Sequence, residues 1–242
     1  MDLKIKDVAE LLNVSETTIR RWLVDGKIPA YRLNHQYRFS KTEIEDWVLG
    51  HKLSAGQMSP YNAQVKGIEK PDHAQTSGGS RQFSLYRALN KGGVISRVNK
   101  THKEDVIRQA TTLIAKDLAL DGETLTELLL DRERIQATSL GNGIGIPHTR
   151  DFFLKNNQDS VTLVLLDKPI EYNALDGKPV HSLFFLFASN NKKHLHLLAK
   201  IAHLSSLPET LQLLQKLPSK EEFLKYVKDW EASIQQVSES PD

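Results

Sequence analysis

Apolar residues recur at helical spacing near the start of the chain, and this pattern predicts two short helices. The first begins at Lys6 and the second covers about residues 16–24. Ser15 suits the N-cap of the second helix and Gly26 suits its end. The predicted buried stripes are Val8, Leu11 and Leu12 in the first helix and Ile19, Trp22 and Leu23 in the second. Two helices joined by a three-residue turn predict a helix-turn-helix unit.

The pattern then changes to alternation, which is typical of strands. Residues 30–33 and 37–39 alternate around a polar turn and predict a β-hairpin, or wing, that carries Arg32 and Arg38. The run from Ser40 to Glu43 has a capping-box pattern and predicts a third helix. We expect Ile44, Trp47 and Val48 to face the core of this unit.

Residues 53–82 are rich in Gly, Ser, Gln and Pro, and they predict a flexible linker. The linker divides the chain into a winged helix-turn-helix domain at 1–52 and a larger domain at 83–242. Strands and helices alternate in the larger domain. Strands are predicted at about 94–98, 160–166 and 180–188, and helices at about 101–119, 124–132, 193–205, 208–216 and 219–231. This order predicts an α/β fold with a mixed sheet flanked by helices.

Composition narrows the possible chemistry. The chain contains no cysteine, which excludes disulfides, thiolate nucleophiles and cysteine-based zinc sites. We find no metal-ligand spacing and expect neither a metal nor a cofactor. The apolar runs are too short to span a bilayer, so we expect a cytoplasmic protein without membrane insertion. The formal net charge is only +2, but residues 20–41 contain six basic residues against one acidic residue.

This basic stretch coincides with the predicted second helix and wing. Thr17, Thr18, Arg20 and Arg21 lie on the outward side of the helix. Arginine and threonine side chains can contact phosphates, and arginine can also bind guanine edges. The segments IKDVAELLNVSETTIRRWLVDGKIPAYRL and YRFSKTEIEDWV resemble excisionase and MerR-type winged helix-turn-helix domains. The resemblance implies DNA binding through these residues together with Arg32 and Arg38. The alternatives are a solvated surface helix or a module that binds only protein.

One histidine stands out in the larger domain. The stretch ATSLGNGIGIPHTR, residues 137–150, places His148 after Pro147 in a glycine-rich context. A neutral histidine can accept a phosphoryl group on one ring nitrogen, provided that donors surround the phosphoryl oxygens. We expect Gly141, Gly143 and Thr138 to form a phosphate loop beside it.

The larger domain is similar to type-2 IIA domains of the phosphoenolpyruvate-dependent phosphotransferase system, the fructose, mannitol and nitrogen-related group. The matching segments are RERIQATSLGNGIGIPH, LDGKPVHSLFFLF and KKHLHLLAKIAHL. The resemblance implies that His148 is the phosphoacceptor through Nε2, with Arg132 and His194 as its partners. Arg134 and His196 are the alternatives for these two positions. The implied phosphodonor is a phosphohistidine on a small carrier of the HPr type.

These interpretations combine into one functional prediction. The chain is expected to be a regulatory phosphocarrier in which phosphorylation is coupled to DNA binding and transcription. Its expected partners are DNA and regulatory target proteins. It would act as a phosphohistidine transfer component rather than a free-standing metabolic enzyme. The alternative is a carrier that passes phosphate to a separate IIB protein and permease for sugar uptake.

Overall fold

The N-terminal unit is built on the predicted helix-turn-helix. A computed structural model describes residues 2–12, 14–33, 36–50, 84–149, 151, 154 and 158–239. Helix α1 (Ile5–Leu12) and helix α2 (Glu16–Val24) match the expected spans. The Ser15 hydroxyl caps α2 by accepting from the Thr18 amide, as the sequence predicts. The predicted linker at 53–82 and the wing tip at 34–35 lie outside the described residues.

The wing is a hairpin of β2 (Tyr31–Leu33) and β3 (Gln36–Ser40), and helix α3 (Lys41–Gly50) follows it directly. A short strand, β1 (Asp2–Leu3), pairs with the other edge of β3 and completes a three-stranded sheet. Strand β1 was not predicted, since two residues are too few to show a period. Trp22 and Trp47 pack with ring centroids 5.5 Å apart and join α2 to α3.

The larger unit is the predicted α/β fold. Its strands are β4 (Val94–Val98), β5 (Ser139–Gly141), β6 (Ile144–Gly145), β7 (Ser160–Ile170) and β8 (Val180–Phe187). Its helices are α4 (Leu85–Gly92), α5 (Lys103–Leu118), α6 (Gly122–Ile135), α7 (Asn191–Leu204), α8 (Pro208–Gln215) and α9 (Lys220–Glu239). The spatial order of the strands is β4-β7-β8-β6-β5.

The sheet is mixed, as predicted. β4 pairs with β7 and β6 pairs with β8 in parallel, whereas β7 with β8 and β5 with β6 are antiparallel. Residues along β8 alternate between two apolar layers: Leu183, Phe185 and Phe187 pack under α5 and α6, whereas Phe184 and Leu186 face α4, α7 and α9. Within the described residues, no helix is both long and apolar enough to cross a membrane.

The two units share one apolar cluster. Buried residues of the winged unit, including Leu12 and Val48, are continuous with Leu198 and Ala202 of α7. Both α1 and α3 pack against α7, and α3 also reaches β5. The winged unit therefore sits on the edge of the larger unit where α7 begins.

Two local predictions need correction. Helix α4 was not predicted, because its apolar residues Leu85, Ala88 and Leu89 span little more than one turn before the glycine pair at 92–93. The helix predicted to begin at about residue 101 begins at Lys103 instead. His102 is the N-cap residue of α5, and its side chain makes no capping hydrogen bond.

Candidate functional site

His148 lies just beyond β6, at the edge of the sheet where two parallel strands end. It forms an isolated parallel bridge with Leu186 of β8. Three residues separate the end of β8 from α7, so the start of that helix lies at the same edge. Sites in α/β sheets form where the carboxyl ends of parallel strands meet loops and helix starts. The fold therefore places His148 in a position suited to chemistry.

The ring of His148 is held in one tautomer. Its Nδ1 lies 2.7 Å from the carbonyl oxygen of Ile146. A carbonyl can only accept, so Nδ1 carries the proton and donates it. The lone pair of the neutral ring is then on Nε2, which is buried and has no hydrogen-bond partner among the described residues. Nε2 is the nucleophilic atom of this ring.

Burial keeps the ring neutral. Only 1% of His148 is exposed, and desolvation together with the neighbouring His194 lowers its pKa from 6.5 to about 3. Arg132 acts in the same direction, whereas the hydrogen bond to Ile146 and the carboxylate of Glu45 oppose the shift. At neutral pH the imidazole is uncharged and able to act as a nucleophile.

The structure brings together the three residues predicted for the centre of the site. The rings of His148 and His194 lie with centroids 5.2 Å apart. His194 is fully buried in the first turns of α7, where Asn190 caps the helix by accepting from the Lys193 amide. Arg132 comes from the last turn of α6 and donates to the carbonyl of Gln136 at 3.0 Å.

The two alternative residues lie elsewhere. Arg134 is exposed and pairs with Asp131. His196 is buried on another side of α7, where it forms a hydrogen bond with the backbone of Leu11 in α1. Desolvation, together with nearby Lys200, lowers its pKa to about 4. His196 therefore faces the winged unit rather than His148.

Two acidic residues of the winged unit reach the site, and neither was predicted from the sequence. Glu45 of α3 is fully buried, with its Oε1 3.4 Å from His194 Nε2 and 3.3 Å from Lys41 Nζ. Asp46, the next residue, pairs with Arg132 at 3.3 Å. Nothing in the local pattern of α3 singles out these carboxylates, since His194 and Arg132, their partners in the larger unit, lie more than eighty positions away in the chain.

The glycines of the predicted phosphate loop occupy the other end of β6. Asn142 and Gly143 both have positive φ, which is the geometry of a two-residue hairpin turn between β5 and β6. The strand from Ile144 to His148 spans about 13 Å. Gly141 and Gly143 therefore shape the turn, and this geometry does not favour the expectation that they line a phosphate.

Thr138 lies nearer to His148 than the glycines do, since its carbonyl accepts from the Ile146 amide at 2.7 Å. Its own amide and hydroxyl, however, both donate to the buried carboxylate of Glu133. Burial raises the pKa of Glu133, and the hydrogen bonds from Thr138 oppose that shift. The observed contacts give Thr138 a role in joining α6 to β5.

The predicted DNA-binding residues lie on the side of the winged unit defined by α2 and the wing. Thr17 and Arg20 are exposed, and Arg21 and Thr18 are half-buried. In the hairpin, Arg32 stands opposite Tyr37, and Arg38 stands opposite Tyr31. Directly opposed residues share a face, so the two arginines of the wing project from opposite faces. A duplex lying flat against one face would meet one of them.

The cluster of side chains around His148 also contains atoms suited to binding a divalent cation. Glu45, His148 and His194 each offer one ligand atom, and these atoms lie within 4.8 Å of one another. The set contains two imidazoles and a carboxylate, which is a donor combination seen in zinc sites. Sequence spacing did not reveal it because Glu45 belongs to the other unit.

A mixed sheet flanked by helices, with a helix-turn-helix unit before it, defines the class of the molecule. Residues 87–230 match the family model described as phosphoenolpyruvate-dependent sugar phosphotransferase system, EIIA 2. Residues 3–52 match the model described as a helix-turn-helix domain. The chain belongs to the EIIA 2 family and carries an additional helix-turn-helix domain.

Individual relatives agree with this assignment. A nitrogen regulatory protein of Pseudomonas aeruginosa is 35% identical over 149 residues, which cover 60% of this chain and 95% of the relative. The crystal structure of nitrogen regulatory protein IIA-Ntr from Neisseria meningitidis has 26% identity and a TM-score of 0.51, and covers 61% of this chain and 97% of that one. The transcriptional repressor DcmR of Methylorubrum extorquens is 39% identical over 75 residues, 31% of this chain and 26% of the repressor.

Proposed function

We propose that His148 accepts a phosphoryl group from a phosphohistidine carrier of the HPr type. The observation that carries this proposal is the buried Nε2 lone pair on a neutral ring whose tautomer is fixed by Ile146. His194 and Arg132 lie beside it and are suited to binding the phosphoryl oxygens as charge develops on them.

The transfer exchanges one P–N bond for another. The lone pair of His148 Nε2 forms a bond to phosphorus while the bond between phosphorus and the donor histidine breaks. The donor nitrogen leaves with that electron pair. The proton on Nδ1 stays in its hydrogen bond to the Ile146 carbonyl, so His148 needs no separate base.

A direct test uses the full chain with phosphoenolpyruvate and the general phosphotransferase proteins. We expect one phosphoryl group, mapped by mass spectrometry to the peptide that contains His148. His148→Ala should abolish labelling, whereas His181→Ala, a half-buried histidine on β8, should retain it. Labelling that survives in His148→Ala would assign the phosphoacceptor to another residue.

The winged unit is proposed to bind duplex DNA through α2 and the wing. The support is the exposure of Arg20 and Arg32 together with the net charge of residues 20–41, where six basic residues face one acidic residue. Contacts of this kind are made to phosphates and weaken as salt rises. Fluorescence anisotropy with random duplex DNA tests the proposal, and binding that is absent at low salt would favour a module that binds only protein.

Together, the two proposals describe a regulator that carries a phosphorylatable IIA domain and a DNA-binding domain in one chain. The nitrogen regulatory relatives and the match to a transcriptional repressor support regulation over sugar uptake. Comparing DNA affinity with and without the phosphodonor, in the natural chain and in His148→Ala, tests the coupling. Transfer of the phosphate to a purified IIB protein would instead support the uptake function.

A further inference from the structure

The candidate phosphoacceptor is closed in this arrangement of the two units. Only 1% of His148 is exposed, and His194 and Glu45 are fully buried. A phosphodonor must bring its phosphorus atom into line with His148 Nε2, and the resulting phosphoryl group needs room for three oxygens. The structure has Glu45 of α3 beside the two histidines instead of an open approach.

Acidic side chains of the winged unit face basic side chains of the larger unit, and Lys41 Nζ of α3 also donates to Asn191 Oδ1 at 2.5 Å. Three contacts between an acidic and a basic side chain cross the interface within the described residues, and the acid belongs to the winged unit in each of them. The pairs are Glu10 with Lys192 at 2.7 Å, Glu45 with His194 at 3.4 Å and Asp46 with Arg132 at 3.3 Å. The larger unit thus presents basic groups around His148, and α1 and α3 present carboxylates to them.

Two of these basic groups are the ones expected to bind the phosphoryl oxygens. A carboxylate resembles a phosphoryl group in charge and in its hydrogen-bond acceptors. We propose that α3 is an internal competitor of the phosphodonor, with the Glu45 and Asp46 carboxylates occupying the positions of the phosphoryl oxygens. Docking of the winged unit and phosphorylation of His148 then exclude each other. This inference rests on the proposed phosphoacceptor role of His148.

The docked arrangement leaves the predicted DNA surface open. The interface uses α1 and α3, whereas Thr17 and Arg20 on α2 and Arg32 on the wing remain exposed. Docking therefore need not release DNA. Phosphorylation of His148 would instead allow the winged unit to move relative to the larger unit, since α3 and a phosphoryl group cannot occupy the site together.

A reversible crosslink tests the exclusion in the full chain. The natural sequence has no cysteine, so Glu10→Cys and Lys192→Cys introduce a unique pair at positions whose side chains meet across the interface. A bis-maleimide with a cleavable spacer would lock the units together. We expect phosphorylation of His148 to slow at least about tenfold when locked and to recover after cleavage, because only the undocked fraction can react. Equal rates before and after cleavage would overturn the proposal.

Charge reversal provides a second, independent test. Glu45→Lys places a cation against His194 and near Arg132, so it should favour the undocked state and speed phosphorylation at least about tenfold. Glu43→Lys is the matched control, because Glu43 is exposed on the same helix. Its rate should stay within about twofold of the natural chain. A Glu45→Lys chain that is folded by circular dichroism but reacts no faster contradicts the proposal.

Docking itself can be followed without a phosphodonor. Fluorophores at Val24→Cys and Leu175→Cys, both exposed and one on each unit, report the separation of the units by energy transfer. His148→Asp adds a carboxylate beside Glu45 and should lower the transfer, whereas His148→Asn should not. EDTA in every sample prevents a divalent cation from bridging the site.

The phosphorylation assay and the energy-transfer measurement distinguish failure of the proposed phosphoacceptor function from failure of the proposed competition. If no variant is phosphorylated but His148→Asp still undocks, the proposed phosphoacceptor function fails and the anion competition stands. If energy transfer shows the natural chain undocked before phosphorylation, or unchanged in His148→Asp, the competition is wrong whatever happens to the phosphate.

Discussion

The winged unit has two surfaces of opposite character. The surface of α2 and the wing is basic and exposed, whereas the surface of α1 and α3 carries carboxylates and packs against α7. Among the described residues Arg20 pairs with Glu16 of its own helix, at 3.6 Å, whereas Glu45 is buried beside residues of another unit. The same three helices thus carry one surface suited to the proposed DNA contact and another that packs on the larger unit.

This difference would allow the two proposed functions of the unit, DNA binding and docking, to coexist in so small a unit. A module of about fifty residues would lose one partner on binding the other if both used one surface. Separate surfaces allow the unit to hold DNA while docked, and they allow phosphorylation to act on docking alone. The predictions below probe each surface and its independence from the other.

The largest effect is expected on the exposed surface. Arg20→Ala combined with Arg21→Ala should weaken binding to duplex DNA about a hundredfold at low salt, because each arginine supplies about 1–3 kcal/mol as a phosphate or base contact. Docking, measured by energy transfer, should not change. Lys225→Ala with Lys228→Ala removes the same charge from exposed positions on α9 and serves as the control. An equal loss of DNA binding in that control would point to overall charge rather than to α2.

A second effect concerns the glycine turn, which lies away from both surfaces. Gly143 has φ +79°, and a Cβ there would come within 2.4 Å of the His181 ring. Gly143→Ala should lower the free energy of unfolding by about 2 kcal/mol through left-handed strain and crowding. At a temperature where the variant stays folded, we expect its phosphorylation rate to be unchanged. A loss of phosphorylation in the folded variant would instead support the prediction that these glycines line the phosphate.

Much of this fold follows from local sequence. The helices of the winged unit and the long strands β7 and β8 have strong periods, so the predicted spans agree with the structure within a few residues. Strand β1 and helix α4 were missed because each is too short to establish a period. The pairing of β6 with β8, which brings His148 to Leu186, depends on contacts far apart in sequence.

The residues of the candidate site also divide into those that were predicted from the sequence and those that were missed. His148, His194 and Arg132 were named from the resemblance to a family, and the structure places all three together. Glu45 and Asp46 were missed, because a carboxylate on an amphipathic helix normally faces water and its sequence neighbours say nothing about a second unit. Only the docked arrangement shows that Glu45 is fully buried.

Acid should open the interface. In the docked arrangement His148 and His196 are buried and neutral, with pKa values lowered from 6.5 to about 3 and about 4, and undocking that exposes the rings would return each pKa towards 6.5. The undocked state binds more protons below pH 6.5, so docking is fully stable above about pH 7.5 and weakens as the pH falls towards these values. The charged and titratable groups that face the two rings are His194, Arg132 and Glu45 for His148, and Lys200, Glu231 and Lys192 for His196.

Energy transfer between Val24→Cys and Leu175→Cys, measured from pH 8 to pH 5.5, checks this expectation. Transfer should fall as the pH is lowered. His196→Gln removes one of the two titrating rings and should make the pH dependence shallower. A transfer that rises on acidification would show that protonation of these rings strengthens docking and would contradict the assignment of both histidines as buried and neutral.

The smallest effect is expected at the rim of the buried surface. Glu10 and Lys192 are about half exposed, and solvent-exposed ion pairs contribute at most about 1 kcal/mol. Glu10→Gln should therefore speed phosphorylation of His148 by less than about fivefold, well below the effect of Glu45→Lys. Glu16→Gln, which removes the exposed partner of Arg20 on the opposite surface, should leave that rate unchanged. If Glu10→Gln sped phosphorylation of His148 as much as Glu45→Lys, general charge attraction between the units would account for docking. The proposed competition at the phosphoryl position would then be contradicted.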